Sequence, residues 1–252
     1  MTAISTEPSP LGRRAVAGTV VAVTGATAGI GRATARLLVS RGARVALLGR
    51  RHERLDELVE ELGPEQVVTL SGDVGDPEVN RTLVAAAVER FGRLDSLVAN
   101  AGIGAYGGIM DLTDDEVTTM STTNFLGTEW SIRAAVPVMR KAGGGDVVVV
   151  SSVAGLRGGA TEAVYAATKF AQVGLAGALD REVRAEGIRV TTLCPAAVST
   201  ELALGAGRNA GDAWLEDVLS AEDVAETVLA TLEQPRRLRT QLWALRSMSE
   251  ES

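Results

Sequence analysis

Two scarce residue types stand four positions apart in the second half of the chain, at Tyr165 and Lys169. The 252 residues contain only two tyrosines and two lysines, and arginine supplies the other basic side chains. Because positions i and i+4 share one helix face, the ammonium can approach the phenol. A phenol ordinarily has a pKa near 10, and a neighbouring positive charge favours the phenolate and lowers that pKa. The pair therefore predicts an acid–base group that protonates a carbonyl oxygen or takes a proton from an alcohol.

A serine thirteen residues before Tyr165 is a candidate partner in this chemistry. The hydroxyl of Ser152 can donate a hydrogen bond to the same substrate oxygen and stabilise its developing charge. One alternative is that Ser152 is only a loop or helix-cap residue. Another is that Ser151, beside it, donates this hydrogen bond instead. The distance to Tyr165 favours Ser152.

Scarcity excludes several other chemistries. The chain has one cysteine, Cys194, and one histidine, His52, so a Cys/His zinc site cannot be assembled and no intrachain disulfide can form. A Ser-His-Asp triad would need His52, which lies in an arginine-rich stretch typical of a solvated helix start. The sequence therefore predicts no metal site and no histidine chemistry.

A glycine-rich turn follows the first apolar run, in the order Thr24-Gly25-Ala26-Thr27-Ala28-Gly29-Ile30-Gly31. Glycines at these positions allow a tight turn and let a pyrophosphate approach the N-terminus of the following helix. A turn that serves only packing is the alternative. Between the first strand and first helix of an α/β chain, the turn predicts a dinucleotide site.

These residues must be positioned by an alternating pattern of strands and helices. Short apolar runs cover 19–24, 44–48, 66–70, 96–99, 146–151 and 189–193, with a last strand near 240–245. Amphipathic stretches lie between them, two of which begin at Ile30 and Leu55, and four more span 77–91, 114–141, 163–186 and 221–233. This alternation predicts one Rossmann-like, doubly wound α/β domain over 18–246, with a mostly parallel seven-stranded sheet flanked by helices. Residues 1–17 are expected to form a flexible leader and 247–252 a tail.

Composition restricts the partners. With 46% hydrophobic and 23% charged residues, the chain is not expected to be disordered. A net charge of -7 without a basic block predicts no nucleic-acid partner, and no apolar run reaches the roughly 18 residues of a membrane span. The first seventeen residues lack the apolar stretch of a signal peptide, so a cytoplasmic protein is expected.

The Gly-x-x-x-Gly-x-Gly spacing resembles the classical short-chain dehydrogenase/reductase family, and the resemblance extends over roughly 18–246. Asn100-Ala101-Gly102 is similar to that family's Asn-Asn-Ala-Gly segment, with Ala99 in place of the first Asn. Asn124, Ser152 and Tyr165-x-x-x-Lys169 follow in the family's order. The resemblance implies hydride transfer between a nicotinamide and a carbonyl/alcohol pair, with these four as the catalytic set. It gives Asn124 the role of supporting its helix and a water-linked proton path to Lys169.

The end of the second strand bears on the choice of nicotinamide cofactor. It reads Gly49-Arg50-Arg51, without the carboxylate that holds a ribose 2′-hydroxyl in NAD sites. A guanidinium suits a 2′-phosphate, so NADP(H) is the expected cofactor. The alternative is that both residues are ordinary surface arginines.

The resemblance also implies the other cofactor contacts. Asp73 and Val74 correspond to the adenine end, although Asp73 has the alternative of a turn or cap residue. The segment 195–200 is similar to the family's Pro-Gly-x-Val-x-Thr segment that holds the nicotinamide carboxamide, with Ala196 where Gly is usual. The full set predicted to bind the cofactor is Gly25, Thr27, Ala28, Gly29, Ile30, Gly31, Arg50, Arg51, Asp73, Val74, Asn100, Ala101, Gly102, Tyr165, Lys169, Pro195, Val198 and Thr200.

The predicted function is an NADPH-dependent ketoreductase acting on a small carbonyl/alcohol substrate and assembled as a homotetramer or homodimer. By analogy, 201–216 forms a mobile lid, and 102–108 with Tyr106 forms the opposite wall of the substrate site. An epimerase or dehydratase of the same superfamily and a catalytically silent NADP-binding sensor are the alternatives. The substrate is not readable from the sequence.

Overall fold

A computed structural model describes residues 12–249 except 203, 205, 208 and 210, and it contains a single sheet with helices on both faces. The strands are β1 (Val20–Thr24), β2 (Arg44–Gly49), β3 (Val67–Ser71), β4 (Ser96–Ala99), β5 (Gly145–Val150), β6 (Ile188–Pro195) and β7 (Leu242–Leu245). The helices are α1 (Gly29–Ser40), α2 (His52–Leu62), α3 (Pro77–Phe91), α4 (Asp114–Ser121), α5 (Gly127–Lys141), α6 (Ala163–Val183) and α7 (Ala221–Leu232).

The sheet has the strand order β3-β2-β1-β4-β5-β6-β7, and every pairing in it is parallel. The predicted Rossmann-like fold is confirmed, and the sheet is parallel throughout. The chain runs outward from β1 to β3, then returns to the other side of β1 with β4. This reversal leaves a crevice at the carboxyl ends of β1 and β4, where α/β sheets of this kind bind ligands.

Both faces of the sheet are covered, which explains why the central strands are apolar without alternation. One hydrophobic cluster packs α1, α2 and α7 onto side chains such as Val21 and Leu47. The other packs α3, α5 and α6 onto the opposite face, around residues such as Ala22 and Leu97. The sheet is therefore a rigid platform for the loops at its carboxyl edge.

The helix predicted over 114–141 is interrupted. A capping box between Thr113 and Glu116 starts α4, and a π-helical turn over Thr122–Leu126 separates it from α5. The interruption contains Asn124, whose main-chain carbonyl accepts hydrogen bonds from Thr128 Oγ1 (2.7 Å) and Gln172 Nε2 (2.8 Å). Such π turns are rare in proteins, and those that occur are often found at functional sites.

The described end of the predicted leader is packed onto the domain. Arg14 donates to the buried carboxylate of Asp146 (2.7 Å) and to the carbonyls of Leu232 and Gln234, and Val16 is buried in the core. Asp146 also pairs with the buried Arg189 (2.6 Å), so Arg14 adds a second cation to this carboxylate, and its three hydrogen bonds anchor the segment. Residues 1–11, and 250–252 of the predicted tail, lie outside the described residues. None of the described helices combines the length and apolarity that a bilayer crossing requires.

Candidate active site

A cavity of about 920 Å³ opens at the carboxyl edge of the sheet. It collects nearly all of the residues that the sequence singles out, although they come from the ends of six different strands and from α6. Two predicted site residues, Gly31 and Asn124, lie behind its wall. The predicted residues that line it are Gly25, Thr27, Ala28, Gly29, Ile30, Arg50, Arg51, Asp73, Val74, Asn100, Ala101, Gly102, Ser152, Tyr165, Lys169, Pro195, Val198 and Thr200.

The glycine-rich turn is held against the end of β4. Thr24 Oγ1 accepts the backbone N–H groups of Asn100 and Ala101 (3.0 Å each), and Asn100 Nδ2 donates to the Thr24 carbonyl (2.9 Å). Gly25 has a φ of +69°, and a Cβ there would lie 2.8 Å from the Ala101 Cα. The turn therefore requires glycine for both conformation and space.

The N-terminus of α1 borders the cavity without a side-chain cap. Its N-cap residue is Ala28, and its first turn contains no acidic residue. The backbone N–H groups of such a turn and the positive end of the helix dipole favour an anion. These features fit the pyrophosphate of a dinucleotide.

Gly31 makes this arrangement possible from behind the cavity wall. A Cβ at Gly31 would lie 2.3 Å from the Gly25 carbonyl oxygen and 2.7 Å from Asn100 Nδ2, so α1 could not pack this closely on the turn.

We expect Gly31→Ala to lower the free energy of unfolding by about 1–3 kcal/mol, because backbone atoms must move to admit the methyl group. Glu60→Ala is the control, since Glu60 is exposed on α2 and away from the turn. That variant should change the free energy of unfolding by less than about 0.5 kcal/mol. Urea denaturation of the wild type and both variants measures the free energies of unfolding. Equal values for the two variants would contradict a steric requirement for glycine at position 31.

Tyr165 and Lys169 lie on one face of α6 and both reach the cavity. The Lys169 Nζ is 5.6 Å from the centroid of the Tyr165 ring. It also donates to the Val150 carbonyl (3.3 Å) and to Gln172 Oε1 (3.1 Å). Burial lowers the pKa of Lys169 to about 8, because desolvation disfavours the charged amine. Near neutral pH the ammonium is still the major form.

The two adjacent serines have different surroundings. Ser151 Oγ donates to the Lys169 main-chain carbonyl (3.0 Å), inside the packing between β5 and α6. Ser152 Oγ accepts from the Ala154 N–H (3.1 Å), a bond that uses the oxygen's lone pair and leaves the hydroxyl proton to donate. This geometry favours Ser152 over Ser151 as the donor to a substrate oxygen.

Asn124 supports the cavity wall from outside. Its side chain accepts from the Ile103 N–H (2.8 Å) and donates to the Ile103 carbonyl (2.9 Å), which fixes the segment after β4. Gln172 connects it to the ammonium, since Gln172 Nε2 donates to the Asn124 carbonyl and Gln172 Oε1 accepts from Lys169. Gln172 is not among the residues predicted from the sequence. Its position three residues after Lys169 on the same helix was the available signal.

The end of the cavity predicted to bind adenosine is bordered by the corner between β2 and α2. Arg51 donates from Nε and Nη2 to Thr27 Oγ1 (3.2 and 3.1 Å), and Arg50 is exposed beside it. Asp73 lines the same end and accepts the Gly75 N–H (2.8 Å), so it is also a turn residue. Glu201 bridges Arg51 and Arg54 across the rim. The sequence contains no local signal for this bridge.

The end of the cavity predicted to bind the nicotinamide follows β6. Among the described non-glycine residues only Thr161 has a positive φ, so Ala196 replaces the usual glycine without backbone strain. Thr200 packs against Gly29, where a Cβ would lie 3.0 Å from Thr200 Cγ2. Cys194 is buried, and burial raises the pKa of its thiol to about 11, so it is protonated near neutral pH and is a poor nucleophile.

The end of the cavity predicted to bind the substrate has two walls that contact each other. The Tyr106 ring lies 5.7 Å from the Tyr165 ring, and the Tyr106 N–H donates to the Ala206 carbonyl (3.0 Å). The Gly107 N–H donates to the Thr161 carbonyl (2.7 Å). Within 12–249, leaving aside the four gaps, no group of three or more His, Cys, Asp or Glu side chains could hold a metal ion.

Comparison with known proteins identifies the family of this chain. A family model described as short chain dehydrogenase matches residues 19–210. An uncharacterized oxidoreductase of Staphylococcus aureus strain MW2 is 34% identical over 216 residues, which cover 86% of this chain and 91% of that protein.

Solved structures with the same fold contain both kinds of nicotinamide cofactor. An alcohol dehydrogenase from the archaeon Thermococcus sibiricus, complexed with 5-hydroxy-NADP, is 30% identical with a TM-score of 0.84, covering 93% of this chain and 98% of that one. A 3-ketoacyl-(acyl-carrier-protein) reductase from Brucella melitensis, complexed with NADH, is 26% identical with a TM-score of 0.83, covering 91% and 97%. The family match, the fold and the residues of the cavity lead to one conclusion: the chain belongs to the short-chain dehydrogenase/reductase family of oxidoreductases.

Proposed function

We propose that this protein is an NADPH-dependent ketoreductase that interconverts a ketone and a secondary alcohol. The observation that carries the proposal is the convergence of Ser152, Tyr165 and Lys169 on one cavity, beside an uncapped helix N-terminus. Ile103, Tyr106 and Ala154 pack with Tyr165 in one apolar cluster and line the cavity, which suits the carbon skeleton of a small organic carbonyl substrate.

The turn 25–31 and the segments after β4 and β6 would hold the cofactor along the cavity. When bound, the nicotinamide supplies or accepts the hydride. The chain's own residues must then position the substrate carbonyl and manage the proton on its oxygen.

In this scheme the Tyr165 hydroxyl donates its proton to the carbonyl oxygen, and the Ser152 hydroxyl stabilises the negative charge that develops there. The buried ammonium of Lys169 stabilises the phenolate that remains. Val150 and Gln172 hold that ammonium in place through two hydrogen bonds. Asn124 is a positioning residue, because it holds the wall and not the reacting atoms.

The preference for NADP(H) rests on the corner between β2 and α2. Arg50 and Arg51 line the cavity there, and neither position carries the carboxylate that would repel a 2′-phosphate. Arg51 is oriented by Thr27, so part of its guanidinium is already ordered for an anion.

We expect Arg50→Gln together with Arg51→Gln to raise the Kd for NADPH by about tenfold to a hundredfold, because charge-assisted hydrogen bonds to the 2′-phosphate are lost. The Kd for NADH should change little. Arg41→Gln removes an exposed arginine at the end of α1, outside the cavity lining, and is the control. Fluorescence titration of the wild type, the double variant and Arg41→Gln measures the Kd values for NADPH and NADH. An equal loss of affinity for both cofactors in the double variant would contradict the assignment of these arginines to the 2′-phosphate.

The direct test is NADPH consumption by the purified protein against a panel of ketones. The panel spans 3-oxoacyl thioesters, small 3-oxo acids, cyclic ketones and polyketide-like aromatic ketones, with NADH in parallel. Turnover of one class with NADPH supports the proposal and identifies the substrate class. NADPH binding without turnover of any ketone would favour an NADP-binding sensor, or an epimerase or dehydratase of the same superfamily.

A homo-oligomer, a tetramer or dimer built through the helices over 114–141 and 163–186, is part of the proposal. Phe170 on α6 is 48% exposed in the single chain, an apolar surface that such an interface would cover. Light scattering tests this, and a mass equal to one chain would contradict it. A cytoplasmic location also stays a prediction.

A further inference from the structure

Glu201 joins two parts of the cavity rim that are far apart in the sequence. Its carboxylate lies 2.7 Å from Arg51 Nη1, and its two oxygens lie 2.7 and 2.9 Å from Arg54 Nη1. Both arginines stand at the corner between β2 and α2, whereas Glu201 follows Thr200 after β6. The bridge therefore closes across the rim, above the glycine-rich turn that Thr200 contacts at Gly29.

The guanidinium of Arg51 is held on two sides. Its Nε and Nη2 donate to Thr27 Oγ1, and its Nη1 donates to Glu201. A carboxylate and a phosphate bind arginine through similar charge-assisted hydrogen bonds. These hydrogen bonds from Arg51 and Arg54 also hold the pKa of Glu201 below its ordinary value, so the carboxylate stays ionised at neutral pH. An anion of this chain thus occupies the arginine that would otherwise bind an anion of the cofactor.

We propose that Glu201 is a specificity-determining residue that competes with the cofactor's 2′-phosphate for Arg51. The inference rests on the proposed use of NADP(H) and concerns the same site. A phosphate monoester carries a charge of about -1.5 to -2 at pH 7, so it can displace a singly charged carboxylate. A cofactor that ends in a 2′-hydroxyl has no such group and gains nothing from Arg51.

A clamp is the competing interpretation, in which the bridge stays closed over any bound dinucleotide. The charge of Glu201 argues against a clamp. Glu201 is adjacent to Thr200, which contacts the turn that would bind the pyrophosphate, so the carboxylate would repel the phosphates of the cofactor. The two interpretations predict opposite effects when the charge of Glu201 is removed. A competitor lowers affinity for NADPH, whereas a clamp raises affinity for both cofactors.

The experiment is a titration of the wild type and Glu201→Gln with NADPH, NADH and adenosine 2′-monophosphate, followed by calorimetry and without substrate. We expect the Kd values for NADPH and adenosine 2′-monophosphate to fall by about three- to fivefold, the scale of an exposed ion pair. The Kd for NADH should stay the same. Glu61→Gln is the matched control, because Glu61 pairs with Arg36 and Arg32 outside the cavity lining and carries the same charge.

A second pair of variants isolates the interaction. If Glu201 acts through Arg51, then Glu201→Gln should have no effect on NADPH affinity when Arg51 is already Gln. Weaker binding of both cofactors by Glu201→Gln, or no change in any Kd, overturns the inference while the wild type's preference for NADPH still stands. A wild type that does not prefer NADPH overturns the proposed cofactor and this inference with it.

Discussion

Replacement of Tyr165 by Phe is expected to lower kcat by about a hundredfold to ten-thousandfold, the contribution of a well-placed acid–base group. The substitution removes one oxygen and keeps the ring, which packs against Tyr106 at 5.7 Å and is 5% exposed. Affinity for NADPH should therefore stay within about twofold of the wild type, since the fold and the turn 25–31 are untouched.

The matched control is Tyr106→Phe, which removes the other phenol of the same cavity. This variant should keep most of the wild-type kcat, and any loss of activity should be a higher KM, because Tyr106 belongs to the wall of the proposed substrate site. The measurement is steady-state kinetics with the best ketone of the panel, accompanied by an NADPH titration. Tyr165→Phe with more than about a tenth of the wild-type kcat would remove Tyr165 as the proton donor.

Lys169→Met should lower kcat by about a hundredfold or more and should also change how stability depends on pH. Methionine keeps an unbranched side chain of similar length but has no charge to stabilise a phenolate. Lys141→Met is the control for catalysis, since Lys141 is the chain's other lysine and is exposed at the end of α5.

The pH effect has a definite sign. Burial lowers the pKa of Lys169 from 10.5 to about 8, so between these values the unfolded chain binds more protons than the folded one. The free energy of unfolding of the wild type therefore rises as pH increases from about 8 toward 10.5, because the cost of a buried ammonium disappears. That cost is about 3 kcal/mol at pH 7, from 1.36 kcal/mol per pH unit.

The measurement compares denaturant unfolding of the wild type and Lys169→Met at pH 7, 8 and 9.5. Loss of the hydrogen bonds to Val150 and Gln172 changes the free energy of unfolding of the variant by the same amount at every pH. The part of the difference that varies with pH comes from titration of the Lys169 amine. The wild type should gain stability relative to the variant as pH rises. Parallel pH dependence in the two proteins would contradict a depressed pKa at Lys169.

Local features of the sequence were sufficient to predict the architecture. Each apolar run and each helical stripe depends on neighbours within a few residues, so the alternation of strands and helices is readable without coordinates. The turn 25–31 and the pair Tyr165–Lys169 are also local, because each spans only a few consecutive residues. The fold class and the family follow from these patterns, and the structure and the comparisons confirm them.

Some boundaries differed because tertiary contacts override local pattern. The apolar periodicity over 114–141 has no visible break, yet the chain forms a π turn around Asn124, where Gln172 of another helix bonds to its carbonyl. Residues 12–17 have no periodicity at all, yet Arg14 is held by a buried carboxylate 132 residues away. Neither partner can be chosen from sequence, because many arginines and glutamines would satisfy the same pattern.

By itself, the sequence determined the fold class and the family, and it predicted a phosphate-binding turn and an acid–base group, since all of these depend on residue types at short, fixed spacings. Only the tertiary structure decided that Gly31 and Asn124 stand behind the cavity wall, that Ser151 faces α6, and that Glu201 reaches Arg51 across 150 residues. The physical reason is that the parallel sheet gathers the carboxyl ends of distant strands at one edge. Which side chains meet there depends on the packing of the whole domain.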